Sequence, residues 1–165
     1  DVRIFLACVN TRHQQQLCRL AFAISKSGDG YTQLFLPLAL YALGLHSSEI
    51  FVASVATGFA VWLPLYWMLK NTCRRKRPPA AIPQFNAAII ASDEFSFPSG
   101  HTAAAFLLAT LAVLCFGAVA SVLFLWAVAV GASRVVLGVH FPTDTFAGAG
   151  LGIALAHVAH SLVIG

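Results

Sequence analysis

Residues 49–69, EIFVASVATGFAVWLPLYWML, decide the fold. After Glu49 the run carries no charge until Lys70. At about 1.5 Å of rise per residue, a helix of this length crosses the roughly 30 Å hydrocarbon core of a bilayer. Tyr66 and Trp67 close the run, and amphipathic rings favour the membrane–water boundary.

Outward from it lie four more apolar segments, near 31–45, 102–117, 119–138 and 144–163. The last is again long enough to span, whereas 31–45 and 102–117 are short and border on breaks. Periodicity alone does not separate a membrane helix from a buried one, but charge does. The chain is 59% hydrophobic and only 10% charged, where a soluble domain carries about 25% charged residues. A soluble fold would lack the charge to cover such a core. The expectation is an all-α, integral-membrane helical bundle with about five transmembrane helices, forming one domain over residues 1–165.

Two stretches interrupt the apolar pattern. In residues 1–30, Arg3, Arg12, His13, Gln14 to Gln16, Arg19 and Lys26 leave no uninterrupted span, so an amphipathic segment on the membrane surface is expected. It ends at the break Ser27-Gly28-Asp29-Gly30. Residues 70–101 hold a basic cluster, four prolines and Asp93-Glu94, and form the one long polar connection. This loop is the expected active-site loop.

Charge and cysteines exclude other classes. The net charge is +4, but four of the ten basic residues crowd into Arg74–Arg77 and the rest are scattered, unlike a nucleic-acid surface. The four cysteines form no CxxC pair, which removes the zinc-ribbon and redox motifs.

Tracing the crossings places the chemistry. The 70–101 loop, residues 133–143 and the start of 31–45 fall on one membrane face. If residues 1–30 do not cross, all ten Lys and Arg share that face, and the opposite face keeps Glu49. Three patches meet there: Lys70 with Arg77-Pro78, then Pro98-Ser99-Gly100-His101, then Ser133-Arg134 with His140 and Asp144. Charge at membrane depth is expensive, so these residues are functional candidates. Lys70, Arg77 and Arg134 suit a phosphate group. Ser99 and Gly100 precede an apolar helix, whose N-terminal N–H groups favour anions. Pro142 suits a first helical position, which puts Asp144 in the first turn, able to accept the Nδ1 proton of His140. Nε2 of His140 is then free as a nucleophile, and His101 can protonate the departing oxygen and later activate water. The chemistry asks for no metal ligand set and no cofactor, since the cations replace Mg²⁺.

The three patches, K-x6-R-P, P-S-G-H and S-R-x5-H-x3-D, resemble the signature of the type 2 phosphatidic acid phosphatase superfamily, with all eleven fixed positions present in order over residues 70–144. The resemblance implies a helical bundle and a metal-independent phosphatase with a phosphohistidine intermediate. It implies His140 as nucleophile, Asp144 as its orienting acid and His101 as acid/base. It further implies phosphate binding by Lys70, Arg77, Ser99, Gly100 and Arg134. Many membrane members have six spans where this chain shows five; a first helix outside the sequence or residues 1–25 dipping into the bilayer would account for the difference.

The expected substrate is a phosphorylated lipid in the bilayer: undecaprenyl diphosphate, phosphatidylglycerol phosphate, phosphatidic acid or a lipid A phosphate. A lipid-to-lipid phosphotransferase, a vanadate-dependent haloperoxidase and a non-catalytic phospholipid binder are the alternatives. The membrane spans and small size disfavour the haloperoxidase, and the intact histidines disfavour the binder. The expected location is a bacterial inner membrane. The basic bias directs the site to the cytoplasm, whereas bacterial lipid phosphatases of the family commonly face outward, so the face stays open.

Other residues are read as structural. Arg74, Arg75 and Lys76 are read as a solvated positive loop ahead of a headgroup-binding patch, Asp93 and Glu94 as loop surface ahead of part of a lid over the site, and Asp29 as a turn ahead of a headgroup contact. Gly148, Gly150 and Gly152 allow close helix packing. His13, His46, His157 and His160 lie outside the matching patches.

Overall fold

The computed structural model describes residues 1–9 and 14–165; Arg12 and His13 lie outside the described residues. Two short helices, α1 (Val2–Val9) and α2 (Gln14–Ser27), precede α3 (Gly30–Ala42) and the long α4 (Ser48–Cys73). A loop holding the single-turn α5 (Pro78–Ala81) leads to α6 (Gly100–Phe116). A 3-10 turn (Ala118–Ser121) runs into α7 (Val122–Val136), and α8 (Pro142–Ile164) completes the bundle. Among the described residues there is no named strand, only an isolated bridge between Lys76 and Phe95.

Among the described residues three helices are long and apolar enough to span a bilayer: Ser48–Cys73, Ala118–Val136 (counting the 3-10 turn) and Pro142–Ile164. Their outward side chains include Leu63, Trp67, Leu125, Phe146 and Leu162, all exposed, which is the surface that lipid covers. The apolar α6 is shorter, with 17 residues. It lies at the centre, where Leu107, Leu108, Ala109 and Leu111 are wholly buried against the surrounding helices. Phe51, Val55 and Trp62 of α4 and Ala156 of α8 complete that core.

Small residues set how closely the central helices approach. A Cβ on Gly148 would stand 2.6 Å from the Ser99 carbonyl oxygen, and one on Gly152 would stand 2.3 Å from that of Ala103. Both glycines are therefore required where α8 crosses α6. Gly150 meets nothing within 4 Å and has no part in this contact. The close crossing brings the start of α6, with Ser99 and His101, beside the start of α8, with Asp144.

The described part of residues 1–30 packs on α7 rather than standing apart from the bundle. Cys18 Sγ lies 4.0 Å from the Val136 carbonyl oxygen, Arg134 Nη1 donates to Ser25 Oγ at 2.6 Å, and Trp126 Nε1 donates to Ser27 Oγ at 2.9 Å. As α2 advances, its partners on α7 move backwards, so the two helices are antiparallel. Phe5 of α1 is fully buried against Phe85 and Phe141.

The candidate active site

The site forms at one end of the bundle, where the ends of α4 and α7 meet the starts of α6 and α8. Lys70 lies in the last turn of α4 and Arg134 in the last turn of α7. Arg77 is the N-cap of α5, with Pro78 pre-set for the first helical turn. All three cations are nearly buried, at 5%, 6% and 8% exposure for Lys70, Arg134 and Arg77. Three cations out of water need anionic partners.

His140 sits in the short turn between α7 and α8, 2% exposed. Arg77 Nη1 donates to the Val139 carbonyl oxygen at 2.7 Å and lies 3.3 Å from His140 Nε2. A guanidinium carries only donors, so Nε2 presents its lone pair and the ring proton resides on Nδ1. Asp144 Oδ2 lies 3.6 Å from that Nδ1, which is longer than a hydrogen bond. The nitrogen is buried without another partner among the described residues. The expected pairing of His140 with Asp144 is thus present as an ion-pair distance and not as a closed hydrogen bond. Burial drives the His140 pKa down; Asp144 opposes this, while Arg77 and Arg134 reinforce it, and the value falls to about 4. The imidazole is neutral at physiological pH, as a nucleophile must be.

Asp144 is the third residue of α8, following Pro142, as the sequence implies. Its Oδ2 accepts the Phe141 N–H at 2.8 Å and its Oδ1 accepts Arg75 Nη1 at 2.8 Å. The sequence pattern favours a solvated loop for Arg75. The structure instead directs it inward, between Asp144 and Asp1, with its guanidinium 4.6 Å from the Phe141 ring centre.

Ser99 and Gly100 stand at the start of α6, where both also take part in packing. The Ser99 N–H donates to the Asp144 carbonyl oxygen at 3.0 Å, and Ser99 Oγ lies 2.9 Å from Thr102 Oγ1. Ser99 therefore ties α6 to α8, and its own N–H is already engaged. A Cβ on Gly100 would stand 2.9 Å from the Tyr66 ring, so this glycine admits Tyr66 to the site. His101, in the first turn of α6, has Nε2 2.9 Å from Asp29 Oδ1.

The sequence pattern favours a loop-surface role for Asp93, yet its carboxylate lies within the cation cluster. Lys70 Nζ donates to it at 3.0 Å, Arg77 Nη2 and Tyr66 Oη donate to it as well, and Arg77 Nε donates to its carbonyl oxygen at 2.9 Å. Burial pushes its pKa up, but the hydrogen bonds from Tyr66, Lys70 and Arg77 outweigh that and hold it at about 2. Arg134 is not hydrogen-bonded to Asp93: its Nη1 goes to Ser25, and its buried Nε has no hydrogen-bond partner among the described residues. A cluster that holds one oxyanion and keeps a guanidinium N–H unused can accept another.

The structure thus brings Lys70, Arg77, Arg134, His140 and Asp144 together, with His101, Ser99 and Gly100 at the adjoining helix start. Sequence reasoning favours a turn or loop role for Asp29, Arg75 and Asp93 over membership of the site, where the structure puts them. The available signal was scarcity, since the chain has only six acidic residues and three of them, Asp29, Asp93 and Asp144, converge here. Of the other described histidines, His46 is exposed in the α3–α4 turn, and His160 Nδ1 is 3.5 Å from Ser54 Oγ near the far end of α8.

Comparison with known proteins agrees with this geometry. Residues 40–164 match the model of the PAP2 superfamily. The chain is 35% identical over 115 residues to YbjG of Escherichia coli (strain K12), named for undecaprenyl-diphosphatase activity, covering 68% of this chain and 57% of that protein. It is 32% identical over 129 residues to the bacitracin transport permease protein BcrC of Bacillus licheniformis, covering 76% of this chain and 64% of that protein. The chain therefore spans less than two thirds of the length of either curated relative. The crystal structure of Aquifex aeolicus LpxE superposes with a TM-score of 0.81 at 29% identity, covering 98% of this chain and 94% of that one. The PAP2-type phosphatidylglycerolphosphate phosphatase from Bacillus subtilis superposes with a TM-score of 0.73 at 26% identity, covering 97% and 82%. An apolar helical bundle with a three-patch cationic site at one end and these relatives define the assignment: the chain is an integral membrane protein and belongs to the PAP2 superfamily.

Proposed function

We propose that the chain hydrolyses a phosphate or diphosphate group from a membrane lipid without a metal, through a phosphohistidine on His140. The observation that carries the reading is the neutral His140 Nε2, held 3.3 Å from Arg77 Nη1 at the edge of the buried cation cluster. A phosphoryl group that replaces the Asp93 carboxylate would meet Lys70 and Arg77, and the unused Nε of Arg134 would add a third donor. His140 Nε2 attacks phosphorus in line, the bond to the lipid oxygen breaks, and His101 gives that oxygen a proton. Water then attacks the phosphohistidine, His101 takes a proton from that water, the bond between phosphorus and His140 Nε2 breaks, and phosphate leaves. The cations stabilise the charge that spreads over the equatorial oxygens, the main catalytic requirement of phosphoryl transfer.

The site lies at helix ends, so a lipid phosphate reaches it from the interface while its tails remain in the bilayer. The relatives named for undecaprenyl diphosphate and phosphatidylglycerol phosphate support a lipid substrate of this class. A bacterial inner membrane suits the same reading. The test is phosphate release by purified protein in detergent with EDTA, from undecaprenyl diphosphate, phosphatidylglycerol phosphate, phosphatidic acid and a lipid A phosphate. Release by the parent, lost in His140→Ala, is the expected result. Release from none of the lipids by folded protein contradicts the hydrolase reading.

A further inference from the structure

We propose that Asp29 is the positioning residue of the acid/base His101, so that the site contains a second histidine–carboxylate pair. The inference rests on the phosphatase reading above and deepens it.

Asp29 stands immediately before α3, at its N-cap. An aspartate at an N-cap ordinarily turns its carboxylate onto the backbone N–H groups of the first turn. Asp29 makes no such bond. Its Oδ1 instead lies 2.9 Å from His101 Nε2, and its Oδ2 accepts Lys26 Nζ at 3.2 Å. The side chain forgoes a local role for a contact across 72 residues of sequence.

The turn that carries Asp29 is built to hold it. Ser27 Oγ donates to the Ile24 carbonyl oxygen at 2.7 Å and accepts Trp126 Nε1–H. Thr32 Oγ1 donates to the Ser27 carbonyl oxygen, and the buried Gln33 donates from Nε2 to that of Gly28 at 3.1 Å. Gly28 rests against α7, where a Cβ would stand 2.8 Å from Val130. The same segment supplies Ser25, which holds Arg134. The α2–α3 junction therefore fixes both a phosphate-binding cation and the partner of His101.

A carboxylate on Nε2 does two things for His101. It fixes the ring and leaves Nδ1 to meet the reacting oxygen. It also lends a counter-charge to the imidazolium, which exists before the lipid oxygen leaves and again after water is deprotonated. The charged groups that face His101 are Asp29 from the α2–α3 turn, Arg134 from α7 and Asp93 from the loop, with Lys26 bound to Asp29. Arg134 opposes the imidazolium and Asp93 is the carboxylate a substrate phosphate displaces, so Asp29 is the counter-charge that persists through the reaction. No atom of Asp29 exchanges with the substrate: the proton moves between His101 Nδ1 and the reacting oxygen, and Asp29 keeps its hydrogen bond throughout.

The test compares Asp29→Asn and Asp29→Glu with the parent on the best lipid substrate and on p-nitrophenyl phosphate, whose leaving group departs without a proton. Asp29→Asn is expected to lower kcat on the lipid at least about 10-fold, a fraction of the roughly 100- to 10,000-fold that acid–base catalysis contributes, because His101 itself remains, with KM nearly unchanged. Its alkaline limb in the kcat–pH profile moves to lower pH, because the imidazolium loses its counter-charge. The defect shrinks on p-nitrophenyl phosphate, and Asp29→Glu recovers part of the lipid rate. Equal losses on both substrates with an unmoved pH profile, or an effect on KM alone, would overturn the proposal in favour of a merely structural role. Unchanged lipid turnover in Asp29→Asn would also overturn it, while leaving the phosphatase reading intact. Absence of parent turnover that His140→Ala abolishes would remove the phosphatase reading and this inference together.

Discussion

Gly152 of α8 lies so close to Ala103 of α6 that a Cβ on the glycine would stand 2.3 Å from the alanine carbonyl oxygen. That crossing aligns the two helix starts that carry His101 and Asp144. Backbone cannot yield as the end of a flexible side chain can. Gly152→Ala is therefore expected to cost about 1–3 kcal/mol, as overpacking does, and to reduce activity with it. Gly150→Ala, two residues away and facing open space, is expected to leave both within error or to stabilise slightly. Thermal unfolding in detergent, with activity measured beside it, separates the two.

Acid is expected to destabilise the fold through His140. Burial and the neighbouring guanidinium groups hold its pKa near 4, against an ordinary value of 6.5. The unfolded chain takes up a proton near 6.5 while the folded chain resists until near 4, so stability falls as pH drops through that window. Asp93, held at about 2, adds a further loss below its ordinary value of 3.8. The Tm in detergent should be flat above pH 7 in this respect and decline between about 6.5 and 4. His140→Asn should remove the decline in that window. An unchanged profile in the variant would assign the acid sensitivity elsewhere.

Asp93 occupies donors of Lys70 and Arg77 that the proposed reaction gives to a substrate phosphate. Asp93→Asn removes the competing charge and is expected to tighten inhibition by vanadate or orthophosphate by about 3- to 10-fold, as removal of a closed, non-binding state does. Weaker inhibition would mean that Asp93 chiefly holds the cations in place. The inhibition constant for vanadate reads the difference directly.

The bundle and the main site were legible because lipid and phosphate each impose simple demands. Long uncharged runs such as 50–69 have few other uses, and Lys70, Arg77, Arg134, His101, His140 and Asp144 fall in tight local patterns. What escaped was tertiary. Asp29 stands 72 residues from His101, and Arg75 stands 69 from Asp144. Neither distance leaves a periodic signal. Asp93 lies in an irregular loop, where no helical register says which way a side chain points. Gly100 and Ser99 were placed correctly at a helix start, but their neighbours decide their roles. The Tyr66 ring occupies the space over Gly100, and the Asp144 carbonyl takes the Ser99 N–H. Of the glycines at 148, 150 and 152, spacing alone could not show that the middle one faces away.

The most direct test of the central claim is to look for the phosphoryl group on His140 itself. Purified protein is mixed with a lipid substrate in the presence of EDTA, quenched with denaturant at alkaline pH to preserve a phosphoramidate, and digested for mass spectrometry. A phosphorylated peptide whose modification maps to His140, formed during turnover and absent from His140→Ala, is the expected result. Sustained phosphate release by the parent with no phosphorylated His140, or a His140→Ala variant that turns over like the parent, would contradict the account.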